Sequence, residues 1–350
     1  MRKIVLASRE IGSRLDLIQS GGGNTSVKIG NFIFIKRSGL NLSDIFDHTS
    51  FVPLSLTILK NELINLPNKK KCKKKLECIG NKILSKSNCS KRNTRPSIET
   101  FLHAFSKKYT IHTHPTSVSI YCSKNSLFNN LKNIYPDSYL VDYASPGIEL
   151  FLQVYKTLRH NSIFYDNEII FLKNHGLIVS SDSCSKAVKI TNDISRLLSS
   201  KLGLDFLPYE EGSILNRALN TVFKDKILTK YIDDKNLSKD ILKYCNERIH
   251  PFSPDISVFL GDKICLVNLN TIEQDLFSFY RKFRVLPSLV NIKNKLYVTS
   301  KSYQKLCEKI DVLKFYCQVM SFLYKDEDSC YLSDDETRYL RNWESEKFRR

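Results

Sequence analysis

Apolar residues at Ile4, Val5, Ile11, Leu15 and Ile18 recur at helical spacing from Met1 to Ser20, and the pattern stops at Gly21-Gly22-Gly23. Residues 24–29 and 32–36 then read as two strands about Gly30-Asn31, a strong short-range hairpin signal. Further on, Ile98, Phe101, Leu102 and Phe105 form an i, i+3, i+4, i+7 stripe behind Pro96-Ser97, which predicts a helix running straight into the extended segment Ile111-His112-Thr113-His114-Pro115. The chain then alternates: a strand is expected over 138–143, a helix over 147–158, strands over 168–172 and 177–180, and a helix over 184–200. From about residue 205 the pattern becomes helix-rich, with strands expected over 252–262 and 295–299 and a long helix over 302–324. No internal repeat is evident.

Composition narrows the class. With 350 residues, 42% hydrophobic and 11% aromatic, the chain can bury a sizeable core as one large domain or two. No run of about 18 apolar residues occurs, and Arg9, Glu10, Arg14 and Asp16 interrupt the N-terminal stretch, so neither a membrane span nor a signal peptide is expected. The ten cysteines are scattered without a Cys-x-x-Cys pair and read as reduced thiols in a cytoplasmic protein. The formal net charge is +18, but residues 68–95 hold eleven Lys and Arg against Glu77 alone, which is +10 of it. A charge block without interleaved aromatics reads as a solvated loop that attracts phosphates non-specifically, not as a specific nucleic-acid face.

The candidate chemistry gathers at the histidines. In an extended segment residues i and i+2 share a face, so His112 and His114 can grip one ion. His175, in Leu172-Lys173-Asn174-His175-Gly176, stands between two short apolar runs and can supply a third imidazole, the donor set of a catalytic zinc site with an open position. Taken singly, each of these reads as an ordinary core or surface histidine. Glu99 lies in the first turn expected for its helix, where a carboxylate suits the dipole, and His103 one turn on reads as solvated; alternatively Glu99 is the carboxylate nearest the metal. The Gly21-Gly22-Gly23-Asn24 run reads first as a flexible turn and second as an anion cradle, with Asn24 and Ser26 at its exit and Ser38-Gly39 returning to the same end of the hairpin. It matches neither a Walker loop nor a dinucleotide fingerprint.

Four motifs in fixed order, GGGNTSVK (21–28), RPSIET (95–100), IHTHP (111–115) and LKNHGLIV (172–179), resemble the class II aldolase/adducin family over roughly the first 200 residues. FSPDISVFLGD (252–262) and NWESEK (342–347) are similar to a subgroup, the aldolase half of bifunctional rhamnulose-phosphate aldolase/short-chain dehydrogenases. The resemblance implies a three-layer αβα fold with a central, mainly antiparallel sheet over 1–204, carrying a Lys-rich insert at 68–95, and a helix-rich C-terminal extension over 205–350 packing on that domain. It further implies one Zn2+ per chain, or another divalent metal, held by His112, His114 and His175; Glu99 as the acid/base; and a sugar phosphate held by Asn24, Ser38, Gly39 and Ser97. The implied reaction is cleavage of a ketose 1-phosphate to dihydroxyacetone phosphate and an aldehyde, in a cytoplasmic homo-oligomer, commonly a tetramer in the family. Pentose-phosphate epimerases, a sugar-phosphate dehydratase and the non-catalytic adducin branch share the constellation. Ile98 stands where many family aldolases have a second hydroxyl beside Ser97, so one phosphate contact is expected to be lost. No motif marks the proton-donating tyrosine of some members.

Overall fold

The structure, a computed structural model, describes residues 1–66, 72–90, 94–159, 168–245 and 248–342. The chain divides into two compact units, Met1–Phe206 and Leu207–Arg350.

The first unit is built on seven strands: β1 (Asn24–Ile29), β2 (Phe32–Lys36), β3 (Phe51–Ser55), β4 (Tyr109–Thr113), β5 (Tyr139–Val141), β6 (Glu168–Leu172) and β7 (Gly176–Ser181). They form one sheet in the order β3-β2-β1-β4-β7-β6-β5, antiparallel throughout except for the parallel β5–β6 pair. Eight α-helices accompany it among the described residues: α1 (Arg2–Gly12), α2 (Leu56–Ile64), α3 (Lys73–Ser87), α4 (Thr100–Ala104), α5 (Thr116–Ser123), α6 (Asn125–Ile134), α7 (Ile148–Arg159) and α8 (Cys184–Lys201). Successive strand residues point to opposite faces, and here both faces are covered. Phe171, Leu177 and Val179 pack into one core with residues of α1, α5, α6 and α8. Their neighbours Ile170, Leu172 and Ile178 pack into a second with residues of α2, α3, α4 and α7. Burial on both sides is why β6 and β7 read as continuous apolar runs and not as alternating ones. The result is the expected three-layer αβα architecture with a mainly antiparallel sheet.

The second unit contains α9 (Leu207–Phe223), β8 (Leu228–Tyr231), α10 (Lys235–Cys245), α11 (Pro254–Leu260), β9 (Ile264–Leu266), α12 (Ile272–Phe283), β10 (Leu289–Ile292), β11 (Lys295–Ser300), α13 (Tyr303–Leu323) and α14 (Asp334–Asn342). Its four strands lie in the order β8-β11-β10-β9. The extension is helix-rich as expected, and it also holds a small sheet that the sequence pattern did not show, because β8, β9 and β10 are only three or four residues long and too short to show a period.

Local expectations fail in five places. The N-terminal helix ends at Gly12, eight residues early, because the chain there presses on the backbone of Leu42 and Ser43, which a Cβ would meet at 2.2–2.4 Å. Beyond it, Arg14 donates to both carboxylate oxygens of Asp16 in a buried pair, and Leu17 O accepts from His114 N. The helix expected from Pro96-Ser97 is only Thr100–Ala104: Ile98 is exposed, and Glu99 stands just before the helix at its N-cap position without a side-chain cap bond. His103, expected to be solvated, is fully buried. The basic segment is no plain loop, since α3 buries Ile83 and Leu84 beneath its lysines; Lys69, Lys70, Lys71, Lys91 and Arg92 lie outside the described residues. Residues 252–262 form a helix and not a strand: Ser253-Pro254-Asp255 is a helix start, with Pro at the first position and an acid in the first turn, and Gly261 (φ 73°) ends it. Of NWESEK, all but Asn342 lies outside the described residues.

Candidate active site

The site assembles at one end of β1, β4 and the β6–β7 hairpin. Asn24 opens β1 and pairs with His112 of β4, which in turn lies opposite Ile178 of β7. His114 follows β4 by one residue, and its backbone N is tied to Leu17 O at 3.0 Å. His175 occupies the tight turn between β6 and β7, with Asn174 before it in the left-handed region at φ 52°.

Two glycines make the approach of these segments possible. A Cβ at Gly176 would stand 2.4 Å from Thr113 O and 2.8 Å from the His114 ring. Gly23 is left-handed (φ 62°), and a Cβ there would meet His112 O at 2.7 Å and the Ile18 side chain at 2.3 Å. Neither position accepts a side chain without moving the histidine strand.

The three imidazoles converge. His112 Nε2 lies 3.2 Å from His175 Nε2 and 3.1 Å from His114 Nε2. Glu99 joins them, with Oε1 2.9 Å from His175 Nε2 and Oε2 3.3 Å from His112 Nε2. A tetrahedral site with metal–nitrogen bonds of about 2.0–2.1 Å sets its ligand nitrogens about 3.3 Å apart, close to the spacing here. The His112 ring is fixed by the contact of its Nδ1 with Leu177 O at 3.0 Å; a carbonyl only accepts, so Nδ1 carries the proton and Nε2 turns its lone pair into the cluster. That lone pair faces a carboxylate oxygen, an arrangement relieved by a cation between them. The donor set and its orientation thus fit a divalent metal, and His112, His114 and His175 could hold one.

Electrostatics follow from burial. Desolvation lowers the pKa of His112 and takes that of His114 down to about 3, which keeps both rings neutral and able to ligate. Burial alone would raise the Glu99 carboxyl, but its contacts with the His112 and His175 imidazoles outweigh it and hold Glu99 well below the usual carboxylate range. Asn24 Nδ2 donates to Glu99 Oε2 at 2.6 Å and to Ser97 Oγ at 3.3 Å, and Glu99 N also donates to Ser97 Oγ at 3.3 Å. Asn24 and Ser97 therefore lie against Glu99. Ser38 and Gly39 form an exposed turn joined to the same segment through Ser38 N, which donates to Arg95 O at 2.8 Å.

Two participants, Lys36 and Leu177 O, were missed in the sequence, and a third, His103, was misread as solvated. Lys36 is buried and donates through Nζ to Gly21 O at 2.9 Å and Leu40 O at 2.8 Å, so one ammonium ties the glycine loop to the Ser38-Gly39 turn; burial pushes its pKa down to about 8 against the pull of Glu99. A lysine closing an apolar strand at Ile35-Lys36 is the signal that could have shown it. His103 Nδ1 pairs with Ser26 Oγ at 2.7 Å, so this pair braces β1 from within the core. Leu177 O is backbone and leaves no trace in sequence.

Comparison with known proteins places the geometry in a family. The profile of the class II aldolase and adducin N-terminal domain matches residues 2–201. The chain belongs to the class II aldolase and adducin family. Among curated proteins it is similar to an uncharacterized oxidoreductase, YuxG, of Bacillus subtilis (strain 168), 25% identical over 221 residues, which is 58% of this chain and 30% of that protein. The chain thus matches under a third of that relative's length. Among solved structures it is similar to the N-terminal class II aldolase domain of a conserved protein from Thermoplasma acidophilum, with 25% identity and a TM-score of 0.49 over 57% of this chain and 92% of that one. It is also similar to an L-fuculose-1-phosphate aldolase from Thermus thermophilus, with 15% identity and a TM-score of 0.37 over 58% and 95%. Among the described residues, no helix of this class II aldolase family member is long and apolar enough to cross a membrane.

Proposed function

We propose that the chain is a zinc-dependent class II aldolase that cleaves a ketose 1-phosphate into dihydroxyacetone phosphate and an aldehyde. The observation that carries this reading is the meeting, within about 3 Å, of three imidazole nitrogens and the Glu99 carboxylate, with Asn24 donating to that carboxylate and Ser97 Oγ accepting from Asn24 and from the Glu99 backbone N. Zinc suits an all-imidazole set, and when bound it supplies Lewis acidity toward the carbonyl and hydroxyl oxygens of a ketose without redox chemistry. His112, His114 and His175 hold it, and the Leu177 carbonyl keeps the His112 ring aimed.

Glu99 is the acid/base. Its carboxylate is held ionised and is steered by Asn24 Nδ2, so it can take the proton released as the carbon–carbon bond breaks and deliver it to the dihydroxyacetone phosphate fragment. Asn24, Ser97 and the Ser38-Gly39 turn offer the amide, hydroxyl and backbone donors that suit a phosphate, and Lys36 adds a positive charge behind them. Holding the phosphate fixes the reacting carbons over the metal, where orientation contributes most. The test is zinc content together with release of dihydroxyacetone phosphate from a panel of ketose 1-phosphates. One zinc per chain with release from at least one ketose is expected; a folded, metal-free protein inert toward the whole panel would refute the reading.

A further inference from the structure

The second unit repeats the metal-bearing half of the first. Its strands β8, β11, β10 and β9 lie in the order of β4, β7, β6 and β5, and each pair has the sense of its counterpart: β8–β11 and β10–β11 antiparallel, β9–β10 parallel. A helix crosses between the parallel strands in both, α7 in one and α12 in the other. The last strand leads in both into a helix capped by serine: Ser183 Oγ accepts from Lys186 N, and Ser302 Oγ accepts from Lys305 N. Aligned on those caps, Leu177-Ile178-Val179-Ser180-Ser181 meets Leu296-Tyr297-Val298-Thr299-Ser300.

Register then fixes the equivalences at the metal end. Ile178 lies opposite His112 and Tyr297 lies opposite Tyr231, so Tyr231 occupies the place of His112. The turn Lys173-Asn174-His175 is cut to the two residues Lys293-Asn294, both left-handed, which leaves no counterpart of His175. The Tyr231 ring packs instead on Tyr209 and Tyr297. The frame is retained without its ligands.

In their stead the second unit has a cavity of about 500 Å³, at the end of β11 away from that turn. Its walls include Ser257, Val258, Leu260, Gly261 and Asp262 of the 252–262 motif, which the aldolase reading does not use. Leu219, Ile227, Val258 and Phe279 give it an apolar floor, while Lys263, Arg284 and Lys309 stand at its wall with the carboxylate of Asp262, and Lys301 beside them is ion-paired with Asp225. Lys309 is held there, donating to Ser288 Oγ at 2.9 Å and Thr299 O at 3.0 Å. Gly261 and Arg284, at φ 73° and 58°, turn the backbone on its two sides. The volume is that of a small-molecule site. Lys263, Arg284 and Lys309 against Asp262 leave an excess of positive charge that selects an anion, and an Arg fork beside Lys point charges suits a phosphate; the apolar floor selects a ligand with an apolar body.

We propose that the second unit is a degenerate copy of the metal-bearing half, converted to bind a small organic phosphate in this cavity, the phosphate on Arg284 and Lys263 and its apolar body on Val258 and Phe279. The proposal stands apart from the aldolase reading and is tested without turnover. Full-length protein is titrated calorimetrically with 1-naphthyl phosphate, 1-naphthol and inorganic phosphate. The organic phosphate is expected to bind at least tenfold more tightly than either part alone. Arg284→Asn with Lys263→Met should weaken it at least tenfold; asparagine tolerates the left-handed backbone of Arg284, so the fold is kept. Asn24→Ala, at the other site, should leave it unchanged. Equal binding of naphthol and its phosphate, indifference to the Arg284/Lys263 pair, or loss with Asn24→Ala would each overturn the proposal.

Discussion

β4 to β7 and β8 to β11 share strand order, strand sense and a serine-capped exit helix, yet only the first set gathers imidazoles. Three local features separate them. β4 carries His112 and leads into His114, where β8 carries Tyr231; the β6–β7 turn has one residue more than the β10–β11 turn; and Gly176 lets that turn close on Thr113, where the second unit has Lys295, ion-paired with Glu211 at 2.7 Å. A frame of this kind sets directions for side chains and no chemistry of its own. The candidate metal centre resides in a few side chains, one turn length and one missing Cβ.

The sharpest way to break that comparison is to remove a ligand. His112→Ala should abolish bound zinc and turnover together, because two imidazoles rarely hold zinc tightly, while Tyr231→Ala at the matching place should leave zinc at one per chain. Metal analysis of both purified variants decides it, and stoichiometric zinc in His112→Ala would sink the assignment. Next in size, Glu99→Gln keeps the hydrogen bond from Asn24 but loses the base. Turnover of the ketose 1-phosphate should fall by about two to four orders of magnitude with zinc retained. Full activity in that variant would move the acid/base role elsewhere. His103 is no substitute, since it is sealed in the core on Ser26.

How much of this was legible follows from the kind of signal each part leaves. His112 and His114 were readable because strand periodicity puts i and i+2 on one face, and β6, β7, α8 and α13 were readable because they are long or strongly apolar. The repeat was not. β8, β9 and β10 are three or four residues each, and the shared Leu-x-Val-Ser/Thr-Ser run is too short to stand out until the sheets show which residues correspond. Lys36 was missed and His103 misread as solvated for a related reason: a single polar residue on an inward position cannot be placed until its partners, Gly21 O and Ser26 Oγ, are seen. Residues 252–262 were misread because a seven-residue buried helix and a strand show the same apolar run, and Ser-Pro-Asp had to be weighed above it.

Acid should also distinguish the two sets of strands. Burial takes the pKa of His103 from 6.5 down to about 3, and that of His114 likewise to about 3. Between those limits the unfolded chain binds protons that the folded one does not, so stability is complete above about pH 6.5 and is lost as pH falls toward 3, by up to about 1.4 kcal/mol per pH unit for each such histidine. The second unit has a single histidine, His250, and it is exposed. In chelator-treated protein, hydrogen exchange should therefore quicken below about pH 6 in β4 and β7 before β8 and β11. His103→Leu should flatten the slope in the first pair alone. A simultaneous onset in both sheets would contradict this account.

The smallest effect tests the turns. Lys293 at φ 48° carries a left-handed strain that asparagine largely avoids, so Lys293→Asn should stabilise the chain by about 0.5 kcal/mol and leave zinc and turnover untouched. In the longer turn the residue at φ 52° is already Asn174, and His175 follows it directly. Asn174→Lys should cost about 1 kcal/mol of stability by the same strain. Any relaxation there also swings His175 away from His112 Nε2, now 3.2 Å distant, so zinc should be released at a lower chelator concentration than in the parent protein. Denaturant midpoints and chelator titrations on the two variants give both readings from one set of samples. If Asn174→Lys loosens zinc no more than Lys293→Asn does, the length of the turn and not its backbone conformation is what places the third imidazole.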